Sequence, residues 1–397
     1  MALGALIAAY QEDDSGSLRA LLPLAGRTLV EYQARCAAAT GASPIVIIVD
    51  HAPAALGEAF ARLRVEGILI TTVTDGNDAA SRFEAGTRIL QIADGVAPEI
   101  DELTRLIEQD EPAIATLPDD EEHEHYERID SVSRWAGIAI IDAATLGSTA
   151  AMLGDWDLQS TLLRRAVQAG ARLIRLDGPG GGPLLAEKAS DLGGFERRLL
   201  VASRGARRDM VARYLLPVIE EFATEQLMET KVRPEWLVDA ALALTVGAAF
   251  AFTRGWLWPA LAMLLLSMPL DLVAARLATL RLRPLALTLW SKRALWPAAG
   301  AALVALGWWS ARHGTGGWGA MVAALAAAAF AQATRIERGG ADEPFRHWLF
   351  ARRTAIVAAV PFAALGWWNV LLGGLALYAA ASFFLVQHLR HRIARAA

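Results

Sequence analysis

The sequence has little cysteine and little charge. Cys36 is the only cysteine among 397 residues, which excludes an intramolecular disulfide and a zinc site built from several thiolates. Charged residues make up 20% of the chain, whereas hydrophobic residues make up 54%. This balance excludes a disordered chain and is too apolar for an ordinary soluble protein, and the length is sufficient for two or three domains.

The amino terminus lacks the features of a secretory signal peptide. The opening residues, MALGALIAAY, contain no basic residue, and the acidic residues Glu12, Asp13 and Asp14 follow them. A signal peptide needs a basic start, a longer apolar run and a cleavage site. We therefore expect a buried strand here and a first half that stays in the cytoplasm.

Charge is distributed unequally between the two halves. Residues 1–200 contain 17 Lys and Arg against 31 Asp and Glu, whereas residues 201–397 contain 21 against 11. Eleven of the 13 tryptophans lie in the second half. We predict an acidic cytoplasmic domain over 1–200, a connector over 201–234 and a membrane domain over 235–397. The acidic first half offers no surface for nucleic acid.

The first half alternates strand-like and helix-like segments, which predicts an α/β domain with a mostly parallel sheet. The predicted strands are Leu3–Ala9, Pro44–Val49, Gly67–Thr72, Pro112–Leu117, Gly137–Ile141 and Arg172–Leu176. The predicted helices are Thr28–Thr40, Pro53–Glu66, Ala79–Ile89, Pro98–Asp110 and Leu158–Ala169. Ligands bind at the carboxyl ends of such strands. Residues 10–19, Asp50 and Asp177 follow these strands, and the segment Leu90–Ala93 leads into Asp94 in the same way. These residues are the candidates.

Residues 6–32, LIAAYQEDDSGSLRALLPLAGRTLVEY, resemble the opening of nucleotidyltransferases with the MobA-like, or GT-A-like, fold. The resemblance implies that the loop wraps a nucleoside triphosphate and that Arg19 steadies it. It also implies that Asp94 holds Mg²⁺ and that Asp177 supplies a second metal carboxylate. Two positions depart from the family pattern, because Tyr10 replaces the first glycine and Leu22 replaces a phosphate-binding lysine.

Each of these candidates also has a structural interpretation. Asp94 precedes a glycine, as turn residues do, and Arg19 has acidic neighbours with which it could pair. The glycine-rich segment 178–183 could cradle a phosphate, but a surface loop is the favoured interpretation. The segment 119–127, DDEEHEHYE, has the residue types of a metal site, but a solvated acidic loop is favoured.

The second half contains six apolar stretches with tryptophans near their ends, a pattern typical of membrane-spanning helices. They are Trp236–Phe252, Trp256–Val273, Leu295–Trp309, Gly317–Ala333, Ala355–Trp368 and Val370–Val386.

Basic residues predict the orientation of these helices, since cytoplasmic loops are enriched in Lys and Arg. With the acidic domain in the cytoplasm, thirteen basic residues fall inside and two, Arg254 and Arg312, outside. The inside residues are Arg276, Arg281, Arg283, Lys292, Arg293, Arg335, Arg338, Arg346, Arg352, Arg353, Arg390, Arg392 and Arg395. This bias predicts a bacterial-type inner membrane protein with both termini in the cytoplasm.

The connector is amphipathic and predicts a helix at the membrane surface before the first span. Its residues D-x-x-x-R-Y-L-x-P, from Asp209 through Arg213 to Pro217, are followed by V-x-P-E from Val232. Together these resemble the juxtamembrane start of CDP-alcohol phosphotransferases. The resemblance implies six transmembrane helices, a homodimer formed through the membrane domain, and a bifunctional fusion that makes a CDP-alcohol and then transfers its phosphoalcohol.

The membrane motif of that family, D-x-x-D-G-x-x-A-R followed by G-x-x-x-D-x-x-x-D, has four carboxylates that hold two metal ions. Here the segment reads MPLDLVAAR, in which Asp271 and Arg276 fit the pattern and Met268 replaces the first aspartate. The third and fourth aspartates fall at Leu289 and Arg293, or at Trp290 and Ala294 with a spacer one residue longer. One carboxylate cannot assemble a two-metal site.

Asp271 and Arg276 are therefore candidates for a residual catalytic site, with Asp271 as its metal ligand. The favoured alternative is a salt bridge from Asp271 to Arg276 or to another arginine of the inside loops. We expect Asp209, Arg213, Arg276, Lys292 and Arg293 to bind an anionic lipid or a phosphate.

Both centres depart from their families' patterns, which predicts a catalytically degenerate protein that acts as a scaffold, regulator or ligand-binding partner. The alternatives are an active transferase of a phosphoalcohol from a CDP-alcohol, or a membrane-tethered cytidylyltransferase, with Mg²⁺ as cofactor if either is active. Membrane lipids, a second copy of the chain or another membrane protein are the expected partners.

Overall fold

The computed structural model describes residues 2–152, 156–176, 182–202, 209–228, 230, 232–282, 290–314, 316–338 and 346–396. The chain divides into two compact units. Met1–Ala202, together with Leu280–Arg283, forms what we call the α/β unit, and Ser203–Thr279 with Pro284–Ala397 forms the helical unit.

The α/β unit is built on a seven-stranded sheet with the strand order β10-β8-β9-β6-β1-β4-β5. All of its pairings are parallel except those of β9, which runs antiparallel to β6 and β8. The strands are β1 (Leu3–Ala8), β4 (Ile45–Ile48), β5 (Ile70–Val73), β6 (Arg88–Ile92), β8 (Ala113–Pro118), β9 (Ser133–Asp142) and β10 (Arg172–Arg175). The predicted α/β domain with a mostly parallel sheet is confirmed.

Two short antiparallel pairs lie beside this sheet. They are β2 (Pro23–Leu24) with β3 (Arg27–Thr28), and β7 (Val96–Ala97) with β11 (Leu184–Leu185). The helices of the unit are α1 (Leu29–Ala39), α2 (Ala54–Val65), α3 (Gly76–Ser81), α4 (Ile100–Ile107), α5 (Ala143–Ala150), α6 (Leu158–Gln168) and α7 (Ala189–Ala202). The central strands are buried on both faces, as apolar runs in covered parallel sheets are.

The predicted helix Ala79–Ile89 is wrong for most of its length. The helix α3 ends at Ser81, and the strand β6 begins at Arg88. Gly86 has a φ of +82°, which ends helical geometry. The following residues Ile89 and Ile92 are fully buried in the sheet, so packing in the core decides their conformation.

In the part of the helical unit that the structure describes, two connector helices are followed by six further α-helices. They are α8 (Met210–Tyr214), α9 (Pro217–Met228), α10 (Pro234–Thr253), α11 (Leu257–Leu280), α12 (Trp290–His313), α13 (Gly317–Arg338), α14 (Arg352–Ala364) and α15 (Trp368–Ala396). Five of these, all except α8, α9 and α14, are long and apolar enough to cross a membrane within the described residues. These helices are compatible with a membrane protein.

The fifth predicted span, Ala355–Trp368, corresponds to α14, which begins three residues earlier and ends four residues earlier than predicted. Its 13 residues correspond to ~20 Å of helix, less than the ~30 Å thickness of the hydrocarbon core. Gly366 has a φ of +71° and lies between α14 and α15, where the chain turns.

The predicted connector helix is divided into α8 and α9 at Pro217, which has no N–H to continue the hydrogen bonding of a helix. Val218, Ile219 and Phe222 on α9 are exposed. This apolar surface is compatible with the predicted position at a membrane interface.

Candidate functional site

A pocket of about 190 Å³ in the α/β unit lies where β1 and β6 end. The structure brings two of the predicted residues, Arg19 and Asp94, to its wall. Asp177, the third predicted residue, lies outside the described residues, as do residues 178–181 of the predicted glycine-rich loop. Asp50 also follows a parallel strand but is exposed.

Asp94 is 2% exposed and has an unusual environment for a carboxylate. Its Oδ2 atom accepts hydrogen bonds from the backbone N–H groups of Tyr10 and Gln11 at 2.6 and 2.7 Å. Its Oδ1 atom is buried and accepts no hydrogen bond within the described part of the chain. Burial raises the pKa of Asp94 from 3.8 to about 6, although these backbone bonds oppose the shift.

The Asp94 backbone begins a chain of polar contacts that the sequence did not reveal. Its N–H donates to Gln159 Oε1 at 2.9 Å, and Gln159 Nε2 donates to the Tyr10 hydroxyl at 2.8 Å. The Tyr10 hydroxyl donates to Asp157 Oδ1 at 2.7 Å. Burial, followed by the bond to Asp157, raises the pKa of Tyr10. The family pattern has a glycine at position 10. Tyr10 instead brings a side chain whose hydroxyl connects Gln159 with Asp157 in the pocket.

Arg19 is held at the pocket by contacts different from those that its acidic neighbours suggested. Its Nη2 atom lies 3.5 Å from Glu187 Oε1, and its Nη1 atom donates to Gln11 Oε1 at 3.3 Å. Asp13 instead accepts hydrogen bonds from the Ser15 hydroxyl and from the N–H groups of Ser17 and Ser15. These bonds lower the pKa of Asp13.

The pocket is acidic, although the loop acids Glu12, Asp13 and Asp14 are not part of its described lining. Among the described residues, its lining includes four carboxyl side chains, Asp94, Glu127, Asp157 and Glu187, against one guanidinium, that of Arg19. Such a pocket repels a bare triphosphate and needs a bound cation to accept one. Leu22, at the position of the family's lysine, is 5% exposed and belongs to the hydrophobic core.

The segment 119–127 is largely exposed, as the predicted solvated loop would be, but several of its side chains make contacts. Asp119 lies 2.6 Å from Arg134, and the Tyr126 ring is buried, with its hydroxyl donating to the Pro183 carbonyl at 2.6 Å. His123 Nδ1 lies 2.6 Å from Asp120. Within the described residues, no group of three or more His, Cys, Asp or Glu side chains could hold a metal ion.

Asp271 in the helical unit lies between two arginines. Its Oδ2 atom accepts a hydrogen bond from Arg353 Nη2 at 2.6 Å, and its Oδ1 atom lies 3.1 Å from Arg352 Nη2. Arg353 Nη1 also donates to Asp209 Oδ2 at 2.6 Å. The structure thus shows a salt-bridged Asp271.

The geometry does not support Asp271 as a metal ligand, because both of its oxygen atoms face guanidinium groups. Arg276, predicted beside it, pairs with the buried Glu220 at 3.6 Å. Met268, at the position of the first motif aspartate, is 4% exposed. Leu289 lies outside the described residues.

The residues predicted to bind an anionic lipid or a phosphate also have surroundings different from those that we expected. Asp209 is buried, and its Oδ1 atom caps α8 through the Ala212 N–H at 2.8 Å. Arg213 stacks over the Tyr214 ring at 5.6 Å. Lys292 and Arg293 are exposed on the first turn of α12. The structure does not bring these residues together into a single pocket.

No family model matches the chain. A search of curated proteins finds no match either. Solved structures do resemble the N-terminal half. A Bacillus anthracis protein assigned as a glucose-1-phosphate thymidylyltransferase is 12% identical with a TM-score of 0.40, covering 49% of this chain and 94% of that one.

Two further structures have similar values. The CTP:phosphocholine cytidylyltransferase from Streptococcus pneumoniae is 14% identical with a TM-score of 0.36, covering 50% of this chain and all (100%) of that one. The inositol-1-phosphate CTP transferase from T. maritima is 16% identical with a TM-score of 0.40, covering 50% and 94%. At these values the likeness carries no argument about activity, and the fold described above rests on the sheet topology.

Proposed function

We propose that the helical unit is catalytically degenerate and that the chain acts as a membrane-bound scaffold, regulator or ligand-binding partner. The observation that carries this proposal is the position of Asp271 between Arg352 and Arg353. A two-metal transferase needs carboxylates with free oxygen atoms around its cations. Here two cationic side chains already neutralise the only motif carboxylate that the sequence retains.

An assay of CMP release from CDP-alcohols tests this proposal. We expect the full chain in lipid nanodiscs with Mg²⁺ to release no CMP from CDP-diacylglycerol or from soluble CDP-alcohols. Asp271→Asn should be indistinguishable from the unaltered protein. Asp209→Asn is the matched control, because Asp209 also pairs with Arg353 but lies outside the four-carboxylate motif. Turnover that is lost in Asp271→Asn and kept in Asp209→Asn would identify an active transferase.

A second candidate function, binding of a Mg²⁺–nucleotide by the α/β unit, is favoured by one observation. Asp94 Oδ1 is buried and unpartnered within the described residues, and it lies in the same pocket as Arg19. Mg²⁺ binds through one or two carboxylates together with phosphate oxygens. Asp94 fits the role of that carboxylate and Arg19 that of a phosphate contact, as in a membrane-tethered cytidylyltransferase.

The second candidate is tested by counting the protons that Asp94 releases when Mg²⁺–nucleotide binds. Because the pKa of Asp94 is about 6, half of the Asp94 side chains carry a proton at pH 6 and nearly none at pH 8. Metal binding requires the ionised form. Calorimetry of the full chain with Mg²⁺–CTP in two buffers of different ionisation enthalpy should detect ~0.5 proton released at pH 6 and almost none at pH 8.

Asp94→Asn should abolish this binding, whereas Asp50→Asn, at the exposed end of a neighbouring strand, should leave it unchanged. If the unaltered protein shows no heat with Mg²⁺–CTP at either pH, the nucleotide-binding candidate is wrong.

A further inference from the structure

An apolar cavity of about 330 Å³, partly open to its surroundings, lies in the helical unit between α10, α11, α12, α13, α14 and α15. Its lining extends from Phe252 and Trp368 at one end to Trp296 and Arg352 at the other. A dry cavity of ~150 Å³ in a protein core is already large enough to bind benzene. This cavity is about twice that size and falls in the range of ligand sites.

Small side chains create the cavity. Gly300 on α12 faces Ala328 on α13, and a Cβ atom added at Gly300 would lie 3.8 Å from the Ala328 Cβ. Ala302, Ala331 and Ala355 continue this lining. Close packing of the helices would fill the space, but the small residues leave it open, so an apolar ligand can occupy it without displacing side chains.

One end of the cavity is polar. Arg352 is 8% exposed and lines the cavity together with Gln332. Its Nη1 atom donates to Ser267 Oγ at 3.3 Å. Its Nη2 atom forms an ion pair with Asp271 Oδ1 at 3.1 Å. A guanidinium carries five N–H donors, so Arg352 has donors available for an oxygen atom at this end.

We propose that this cavity binds one hydrocarbon chain of an anionic phospholipid, with phosphate or ester oxygens accepting hydrogen bonds from Arg352. The apolar lining matches the chain, and the buried guanidinium matches the oxygen-rich end. The proposal rests on the proposed function, because it assigns the helical unit a lipid that is bound and not transferred.

Photo-cross-linking in nanodiscs tests the proposal on the full chain. The probe is phosphatidylglycerol with a diazirine in one acyl chain, and mass spectrometry locates the cross-linked residues. We expect cross-links to cavity residues such as Phe350 and Leu375. Ala328→Leu fills the cavity and should reduce these cross-links about tenfold relative to those on the outer surface. Ala329→Leu, one exposed residue further along α13, should not.

Arg352 is tested separately by comparing the same probe with phosphatidylcholine that carries the diazirine. Phosphatidylglycerol should dominate in the unaltered protein and in Arg352→Lys, and Arg352→Gln should remove the difference. Cavity cross-links that are absent in the unaltered protein, or equal in Ala328→Leu and Ala329→Leu, overturn the proposal. CMP release is measured independently, so an active transferase with an occupied cavity would contradict only the proposed function.

Discussion

Leu22 and Asp271 show how far single residues could be interpreted from sequence. The sequence indicated that Leu22 lacks the charge of a phosphate-binding lysine, and the structure adds that its side chain is part of the core. The sequence also offered a salt bridge as one role for Asp271. It could not identify Arg352 and Arg353, which lie more than eighty residues away along the chain, as the partners.

Restoring the lysine at position 22 should therefore destabilise the protein without restoring nucleotide binding. Leu22→Lys places a charge at a site that is 5% exposed, which costs ~3 kcal/mol when no partner is available. Hydrogen exchange measured by mass spectrometry should show faster exchange over α1 and β1. Leu21→Lys, at a half-buried position, is the control. Normal exchange in Leu22→Lys together with stronger Mg²⁺–CTP binding would show that the position faces the nucleotide.

At the scale of elements, most strands and helices of the α/β unit follow from hydrophobic pattern, because strands such as Ile45–Ile48 are apolar at every position. The prediction failed at Ala79–Ile89, where one segment contains a short helix, a left-handed glycine and the start of a central strand. The helices α5 and α7 were not predicted. The pocket could be located at the ends of β1 and β6, but the contacts of Tyr10 with Asp157 and Gln159 could not.

A glycine inside β9 gives a prediction at this scale. Gly137 has a φ of +78°, and a Cβ atom added there would clash with Val96 Cγ2. Gly137→Ala should therefore cost both backbone strain and a steric clash, ~3 kcal/mol or more. Gly170→Ala is the control, because φ is +83° but no atom of the described residues lies within 4 Å of the added Cβ. Its cost should be ~1–2 kcal/mol of strain alone.

Hydrogen exchange of the β6 and β9 amides measures the first variant, and exchange of the amides around residue 170 measures the second. Equal losses of protection in the two variants would show that the contact with Val96 relaxes and that φ strain alone decides the cost.

At the scale of the whole molecule, charge asymmetry correctly separated an α/β unit from a helical one, since burial of an acidic half in a membrane is prohibitive. Five of the six predicted spans form long helices. Hydropathy extended the fifth span to Trp368, whereas α14 ends at Ala364, because the apolar run continues through the turn at residues 365–367. Because α14 has only 13 residues, the main question of topology is whether it crosses the membrane. The answer decides on which side of the membrane α15 ends.

Cysteine labelling in intact cells answers this question. Cys36 is fully buried, and burial raises the pKa of its thiol to about 12, so the native cysteine should not react at pH 8. Single cysteines replace Lys292, Arg312 and His388, which are exposed. The distribution of basic residues predicts that an impermeant maleimide labels only the Arg312 position before cell lysis.

His388 distinguishes the two topologies. If α14 crosses the membrane, α15 ends on the cytoplasmic side and the cysteine at position 388 reacts only after lysis, as the one at position 292 does. The three arginines that follow, Arg390, Arg392 and Arg395, favour this outcome. A 13-residue helix can cross because a short span is accommodated by local thinning of the bilayer and by flanking polar residues. Labelling at position 388 in intact cells would instead show that α14 does not cross and that the carboxyl terminus lies outside.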